Sequence, residues 1–189
     1  MSLLTPMLRS SPLTDWFSDA QRVQGMLDFE AALAQAQAVC GMVPPEAVGP
    51  IVAACRHEAI DFAALGEAAV GAGNLAIPLV KQLTAQVITQ DPEAARYIHW
   101  GATSQDAIDT GLVLQLRGAL DAAETLLEQL LATLALQADR YRDTVMPGRT
   151  WMQHALPVTF GLKLAGTLDA LLRWQQRLRE MRPRLLALQ

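Results

Sequence analysis

From Ser104 to about Tyr141 the chain contains no proline, and Leu112, Leu116, Leu120, Leu127, Leu131 and Leu134 fall near one helical stripe. A helix of roughly 35 residues is about 50 Å long, far above the globular average of three to four turns. A rod of that length needs others beside it, so the chain is expected to be all-α and built as a bundle. A second long pattern runs from about Val158 to Met181 and ends before Pro183, which cannot continue a hydrogen-bonded ladder. Between them MPGRTWMQHALP reads as a loop of roughly a dozen residues, and two helices so joined pack antiparallel. Both carry more apolar residues than a two-helix hairpin buries. Further helices of a longer protein, or other copies of the chain, are expected to cover them. The helical pattern MRPRLLALQ, with no polar tail, points to an N-terminal part of a longer protein.

Residues 1–102 are organised in shorter pieces, which gives an expected division into an N-terminal helical domain (1–102) and the start of a central long-helix bundle (103–189). Thr14 or Asp15 caps a first helix in which Trp16, Val23, Met26, Leu27, Leu33 and Val39 recur at helical intervals, and Gly41 with Pro44-Pro45 stops it. Pro45 opens a helix to about Arg56, Asp61 caps another to Val70, and Gly71-Ala72-Gly73-Asn74 breaks the chain before a helix with Pro78 in its first turn. Composition agrees: 51% of residues are hydrophobic but only 5% aromatic, so Ala and Leu, good helix formers, supply the apolar content.

A net charge of −4 argues against a nucleic-acid partner, which needs a basic face to displace counterions. Cys40 and Cys55, without CxxC spacing, read as buried reduced thiols. No apolar run is long and charge-free enough to span a membrane, and the first residues lack a basic start followed by a long apolar stretch. A cytoplasmic protein is the expectation.

Two segments concentrate groups that hold anions and move protons. In Arg96–Asp106, His99 and Gly101 precede Thr103 and Ser104 at the start of the long helix, where unpaired N–H groups and the positive dipole end suit a carboxylate. Thr103 and Ser104 serve equally well as ordinary caps, and His99 as a loop histidine. In Met146–Pro157, Arg149, Thr150, Trp151, Gln153 and His154 lie within six residues. Arg149 offers a bidentate clamp and His154 a proton near neutral pH, although the segment also reads as a helix connector with a packed Trp. Asn74 is placed to cap the next helix and also to point into a cleft. Lys81 reads as solvated. His57 has no HExxH continuation, and no phosphate loop or nucleophile elbow occurs, so neither metal nor cofactor is expected.

His99–Thr110, HWGATSQDAIDT, resembles a block of the fumarase/aspartase superfamily with a T/S-S-x-D core; Gly148–Gly161, GRTWMQHALPVTFG, resembles its second block, written around G-R-T-H-x-Q. One long helix separates them, as in that superfamily, and the similarity extends through SDAQRVQGMLDFEAALA and AGNLAIPLVKQL. Trp151 stands where most such lyases have His, and Asn74 where adenylosuccinate lyases have one, a pattern similar to the branch that lactonises 3-carboxy-cis,cis-muconate in protocatechuate (β-ketoadipate) degradation. Loss of a His acid/base counts against C–N cleavage, whose leaving nitrogen must be protonated.

The resemblance implies a small tricarboxylate substrate, with His99, His154 and Ser104 as catalytic residues. Asn74, Thr103, Arg149, Thr150, Trp151 and Gln153 would bind substrate. It also implies a homotetramer whose site forms at the junction of three subunits. A third block, a serine-bearing G-S-S-x-M-P-x-K-x-N loop, does not occur in this sequence, so the chain alone is expected to turn over little or no substrate. Another lyase of the superfamily, such as an adenylosuccinate or argininosuccinate lyase-like enzyme, and a non-catalytic helical scaffold remain alternatives.

Overall fold

The computed structural model describes residues 11–188, which form six α-helices, three 3-10 turns and one β-hairpin. Thr14–Phe17 make only a 3-10 turn, and helix α1 (Asp19–Val39) begins behind Ser18, whose hydroxyl accepts from the Gln21 N–H at 3.3 Å. This corrects the cap expected at Thr14 or Asp15. A cap needs extended backbone, which Ser18 has (φ −68°, ψ 159°). Helix α2 (Pro45–Ala54) opens on its proline, and α3 (Phe62–Ala72) is capped by Asp61, whose carboxylate accepts from the Ala64 N–H at 3.0 Å. Helix α3 runs two residues past Val70, and the break falls within the expected Gly71–Asn74 segment, at Gly73, whose φ of +76° ends the helix in the left-handed region. Helix α4 (Ala76–Ile88) follows, then α5 (Ser104–Arg140), strands β1 (Val145–Thr150) and β2 (Gln153–Thr159), and α6 (Phe160–Leu185). Helix α6 does not end before Pro183; the proline lies in its last turns, where little ladder remains to be broken.

The described residues divide into two compact units, one reaching Ala119 and including the segment from Leu186, the other Leu120–Leu185. In the first, Leu27, Val43, Ile51, Leu79, Leu83 and Val87 are almost completely buried between α1, α2 and α4. Helix α1 meets the start of α5 where both backbones are bare: a Cβ on Gly25 would stand 2.7 Å from the Gly111 carbonyl oxygen, so neither position accepts a side chain without separating the helices. Here α5 buries Ala107, Thr110, Gly111, Gln115, Gly118 and Ala119, while Leu112 on the leucine stripe stays exposed. Val39, at the end of α1, is also exposed. Cys55 is buried, but Cys40, just beyond the last turn of α1, is exposed, against the expectation for both thiols.

In the second unit α5 and α6 run antiparallel. Arg182 pairs with Asp121 and, at 3.4 Å, with Glu124, while at the other end the Tyr141 and Phe160 rings pack in a tilted pair with centroids 5.3 Å apart. Only Leu131 and Gly161 are buried among its described residues, and Leu126, Leu130, Leu136, Leu162, Leu172 and Trp174 are exposed. The connector is not a loop but an antiparallel hairpin, turning at Trp151-Met152 with positive φ at both residues (50° and 58°). That pair of left-handed residues gives a primed turn, whose twist matches the flanking strands. Neither is the Gly or Asn that usually signals one, which is why the sequence reads as irregular.

Candidate active site

In the first unit the residues of the first block are held from below by α1. Glu30, only 2% exposed, accepts a hydrogen bond at 2.6 Å from Nδ1 of His99. One further turn pair along α1, the Gln37 amide donates to the Trp100 carbonyl at 2.6 Å. His99 itself has φ +56° and Gly101 φ +72°, so the segment makes a tight left-handed bend before α5. The hydrogen bond to Glu30 keeps the His99 ring protonated above the ordinary histidine range; burial opposes this, and the charges of Glu30 and Asp106 add to it. Thr103 occupies the cap position of α5, but the bond made there runs from its own N–H to the Asp106 carboxylate, 2.8 Å. Ser104, half-buried, is the first helical residue and stands beside the helix's free N–H groups.

Asn74 does what a cap residue does: its Oδ1 accepts from the Ile77 N–H at 3.1 Å. Its side chain also borders a recess of about 260 Å³ with Arg22, Gln115 and the apolar Met26, Leu75, Ile108 and Leu112. Asn74 therefore caps the start of α4 and borders the recess at once.

In the second unit the hairpin sets out the second block. Arg149 is directly opposite His154, and Thr150 opposite Gln153. Directly paired residues share a face and successive ones alternate, so Arg149 and His154 stand together on one face and Thr150 with Gln153 on the other. Beyond this pairing β2 carries a bulge, with Ala155 and Leu156 facing Gly148. A Cβ on Gly148 would lie 2.6 Å from the Leu156 carbonyl oxygen, so the glycine permits the bulge that re-aims the strand. Trp151 is 92% exposed at the tip, and the segment Arg149–His154 forms a shallow open concavity.

Glu30, Gln37, Arg22 and Gln115 are absent from the residues singled out in the sequence. Glu30 left a readable signal: it falls on the buried stripe of α1 with Val23, Met26, Leu27 and Ala34, and a carboxylate on a core stripe requires a partner.

Six helices, two of them long and joined by a short hairpin, agree with one class: the profile of the lyase family matches residues 8–189, and the chain belongs to that family, with the fumarase/aspartase fold. It is 62% identical over 180 residues to 3-carboxy-cis,cis-muconate cycloisomerase of Pseudomonas aeruginosa, covering 95% of this chain and 39% of that protein. The crystal structure of 3-carboxy-cis,cis-muconate lactonizing enzyme from Pseudomonas putida superposes with a TM-score of 0.96 at 57% identity, over 99% of this chain and 43% of that one. Nitrosuccinate lyase of Streptomyces davaonensis is 43% identical, over 88% of this chain and 35% of its own length. The chain thus spans about two-fifths of the length of the cycloisomerases it matches.

Proposed function

We propose that the longer protein to which this chain corresponds is a lactonising cycloisomerase acting on 3-carboxy-cis,cis-muconate. The observation that carries the reading is the 62% identity to a cycloisomerase together with Trp151 in place of a second-block histidine. In this reaction a carboxylate of the substrate adds to a conjugated C=C bond, so C–O forms within one molecule. The displaced π electrons pass into the carboxyl group conjugated with that bond, and one proton is then delivered to carbon. Holding the attacking carboxylate in line converts the step into one of high effective molarity. Stabilising the electron-sink carboxylate then asks for fixed donors.

The residues suit these tasks. Ser104, Thr103 and the start of α5 hold one carboxylate, Arg149 clamps another, and His99 and His154 orient or polarise. Asn74, Thr150 and Gln153 supply neutral hydrogen bonds, and Trp151 shapes the pocket. The division into 1–102 and 103–189 is part of the same proposal, supported by the start of α5 at Ser104. So is a homotetramer, supported by the bare leucine surfaces of α5 and α6 and by the exposed hairpin tip. A reducing compartment such as the cytoplasm fits the two free thiols.

The longer protein should consume 3-carboxymuconate, read as loss of the conjugated-diene absorbance, and leave adenylosuccinate and argininosuccinate untouched. Arg149→Ala should lower kcat/KM by about 100-fold, the loss expected when a charged clamp is removed. Cleavage of either C–N substrate, or an unaffected Arg149→Ala enzyme, would refute the assignment. The 189-residue chain alone should turn over little or no substrate, and a rate equal to that of the longer protein would refute that claim.

A further inference from the structure

We propose that Glu30 is the positioning residue for His99, holding the ring's Nδ1–H on its carboxylate and leaving Nε2 for an anionic group of the substrate. This rests on the reading that His99 serves the reaction. The geometry is specific. Glu30 projects from the core face of α1, between Leu27 and Ala34, and one of its oxygens lies 2.6 Å from Nδ1. Its other oxygen is buried and has no hydrogen-bond partner among the described residues, so His99 is the only hydrogen-bonding compensation this carboxylate receives there. Solvent exposure of the two side chains is unequal, 17% for His99 and 2% for Glu30, which leaves the imidazole as the end of the pair that reaches outward.

The backbone is also held for this purpose. His99 is one of three non-glycine residues with positive φ among the described residues, and the other two are Trp151 and Met152 of the second block. A left-handed histidine costs free energy that the surroundings must offset. The bond from Gln37, set seven residues beyond Glu30 on α1, fixes the adjacent Trp100 carbonyl. One helix face therefore pins both the ring and the bend that presents it.

The charges facing this pair can be named. Glu30 and Asp106 both favour the protonated ring, while Asp106 is itself engaged by the Thr103 N–H. Near Glu30 the Cys55 thiol is pushed up to about 12 by burial and by the charges of Glu30 and Asp28, so it stays protonated and brings no competing charge. With Nδ1–H committed to Glu30, a neutral ring presents a lone pair at Nε2 and a protonated ring presents N–H. The protonated form suits a carboxylate.

The test is a pH titration of the three histidine rings by two-dimensional ¹⁵N NMR on the 189-residue chain, with His99→Gln to assign the signal. In the native chain His99 should show the Nδ1–H tautomer when neutral and a midpoint above that of an ordinary histidine. Glu30→Gln should lower the midpoint by about one pH unit, tenfold in proton affinity, and Glu30→Asp should restore part of it. A native ring with the proton on Nε2, or an unchanged midpoint in a folded Glu30→Gln chain, overturns the proposal. Should Glu30→Gln not fold, the native tautomer and midpoint decide alone.

In the longer protein, Glu30→Gln should lower kcat about tenfold, shift the pH profile in the same direction as the ring, and recover with Glu30→Asp. A ring that shifts while turnover does not removes His99 from the chemistry, and overturns the reading beneath the proposal without disturbing the Glu30–His99 pair.

Discussion

The unit reaching Ala119 and the unit from Leu120 to Leu185 come from one kind of sequence, rich in Ala and Leu, yet they spend those residues differently. The first closes a core around Leu27, Ile51, Leu79 and Leu83, and buries on α5 the small face of Ala107, Gly111, Gly118 and Ala119. The second buries only Leu131 and Gly161 among its described residues and leaves leucines, a tryptophan and the hairpin tip in the open. Apolar content alone therefore does not measure how much of a chain is self-supporting. What matters is whether neighbouring elements can approach closely enough to cover it, and Gly25 against Gly111 is where the first unit achieves this.

The largest effect expected follows from that contrast. Leu83→Ala, at a site with no exposure, should cost about 2–5 kcal/mol, because the vacated volume cannot collapse. Leu130→Ala, on the same type of residue but 45% exposed, should change stability by about 0.5 kcal/mol or less. Urea unfolding of both variants of the 189-residue chain measures the pair. Equal losses would break the comparison, since they would mean that the second unit has a core of its own.

A second difference concerns charge. The first unit contains a buried carboxylate whose hydrogen-bond partner is His99, whereas the pair of Arg179 with Glu128 between α5 and α6, at 3.7 Å, lies on the surface. Replacing His99 with Leu should cost about 3 kcal/mol, since Glu30 would be left buried without its partner. The pH dependence has a definite sign. The folded midpoint of His99 lies above the ordinary 6.5, so its contribution to stability is fully present below about pH 6.5 and is lost as pH rises through that raised midpoint. Chemical denaturation from pH 5.5 to 9 should show this decline in the native chain and a flatter curve in His99→Leu. A native curve rising over the same range would contradict the pair.

These contrasts also separate what the sequence discloses from what it withholds. Long helices were legible because an uninterrupted leucine period needs no tertiary information. The first block and the second were legible because Thr103, Ser104, Arg149 and His154 are chemistry-bearing residues at a helix start and between two long elements. Which face of α5 is buried was not legible. The leucine stripe is the stronger hydrophobic signal, but the crossing at Gly25 and Gly111 selects the small face. Glu30 was hidden for a related reason, since its role depends on a bend 69 residues away that its own helix does not reveal. The hairpin was missed because its turn uses Trp151 and Met152, where propensity expects Asn and Gly.

That turn supplies the smallest and most pointed prediction. Trp151 and Met152 hold left-handed backbone, and for residues with a Cβ this costs about 1–2 kcal/mol each. Trp151 is 92% exposed, so the chain recovers little of that cost by packing its ring. Trp151→Asn with Met152→Gly installs the residue pair that a type I′ turn favours. It should therefore stabilise the hairpin by about 1 kcal/mol in the isolated 189-residue chain, seen as slower amide exchange at Thr150 and Gln153. In the longer protein the same change should reduce turnover if Trp151 shapes the pocket as proposed. Faster exchange in the double variant would mean that Trp151 supports the turn it strains. A stabilised turn with full activity would mean that the tryptophan is dispensable to the chemistry. Stabilisation with loss of activity would place the strain, as at His99, in backbone that presents a side chain proposed to act on the substrate.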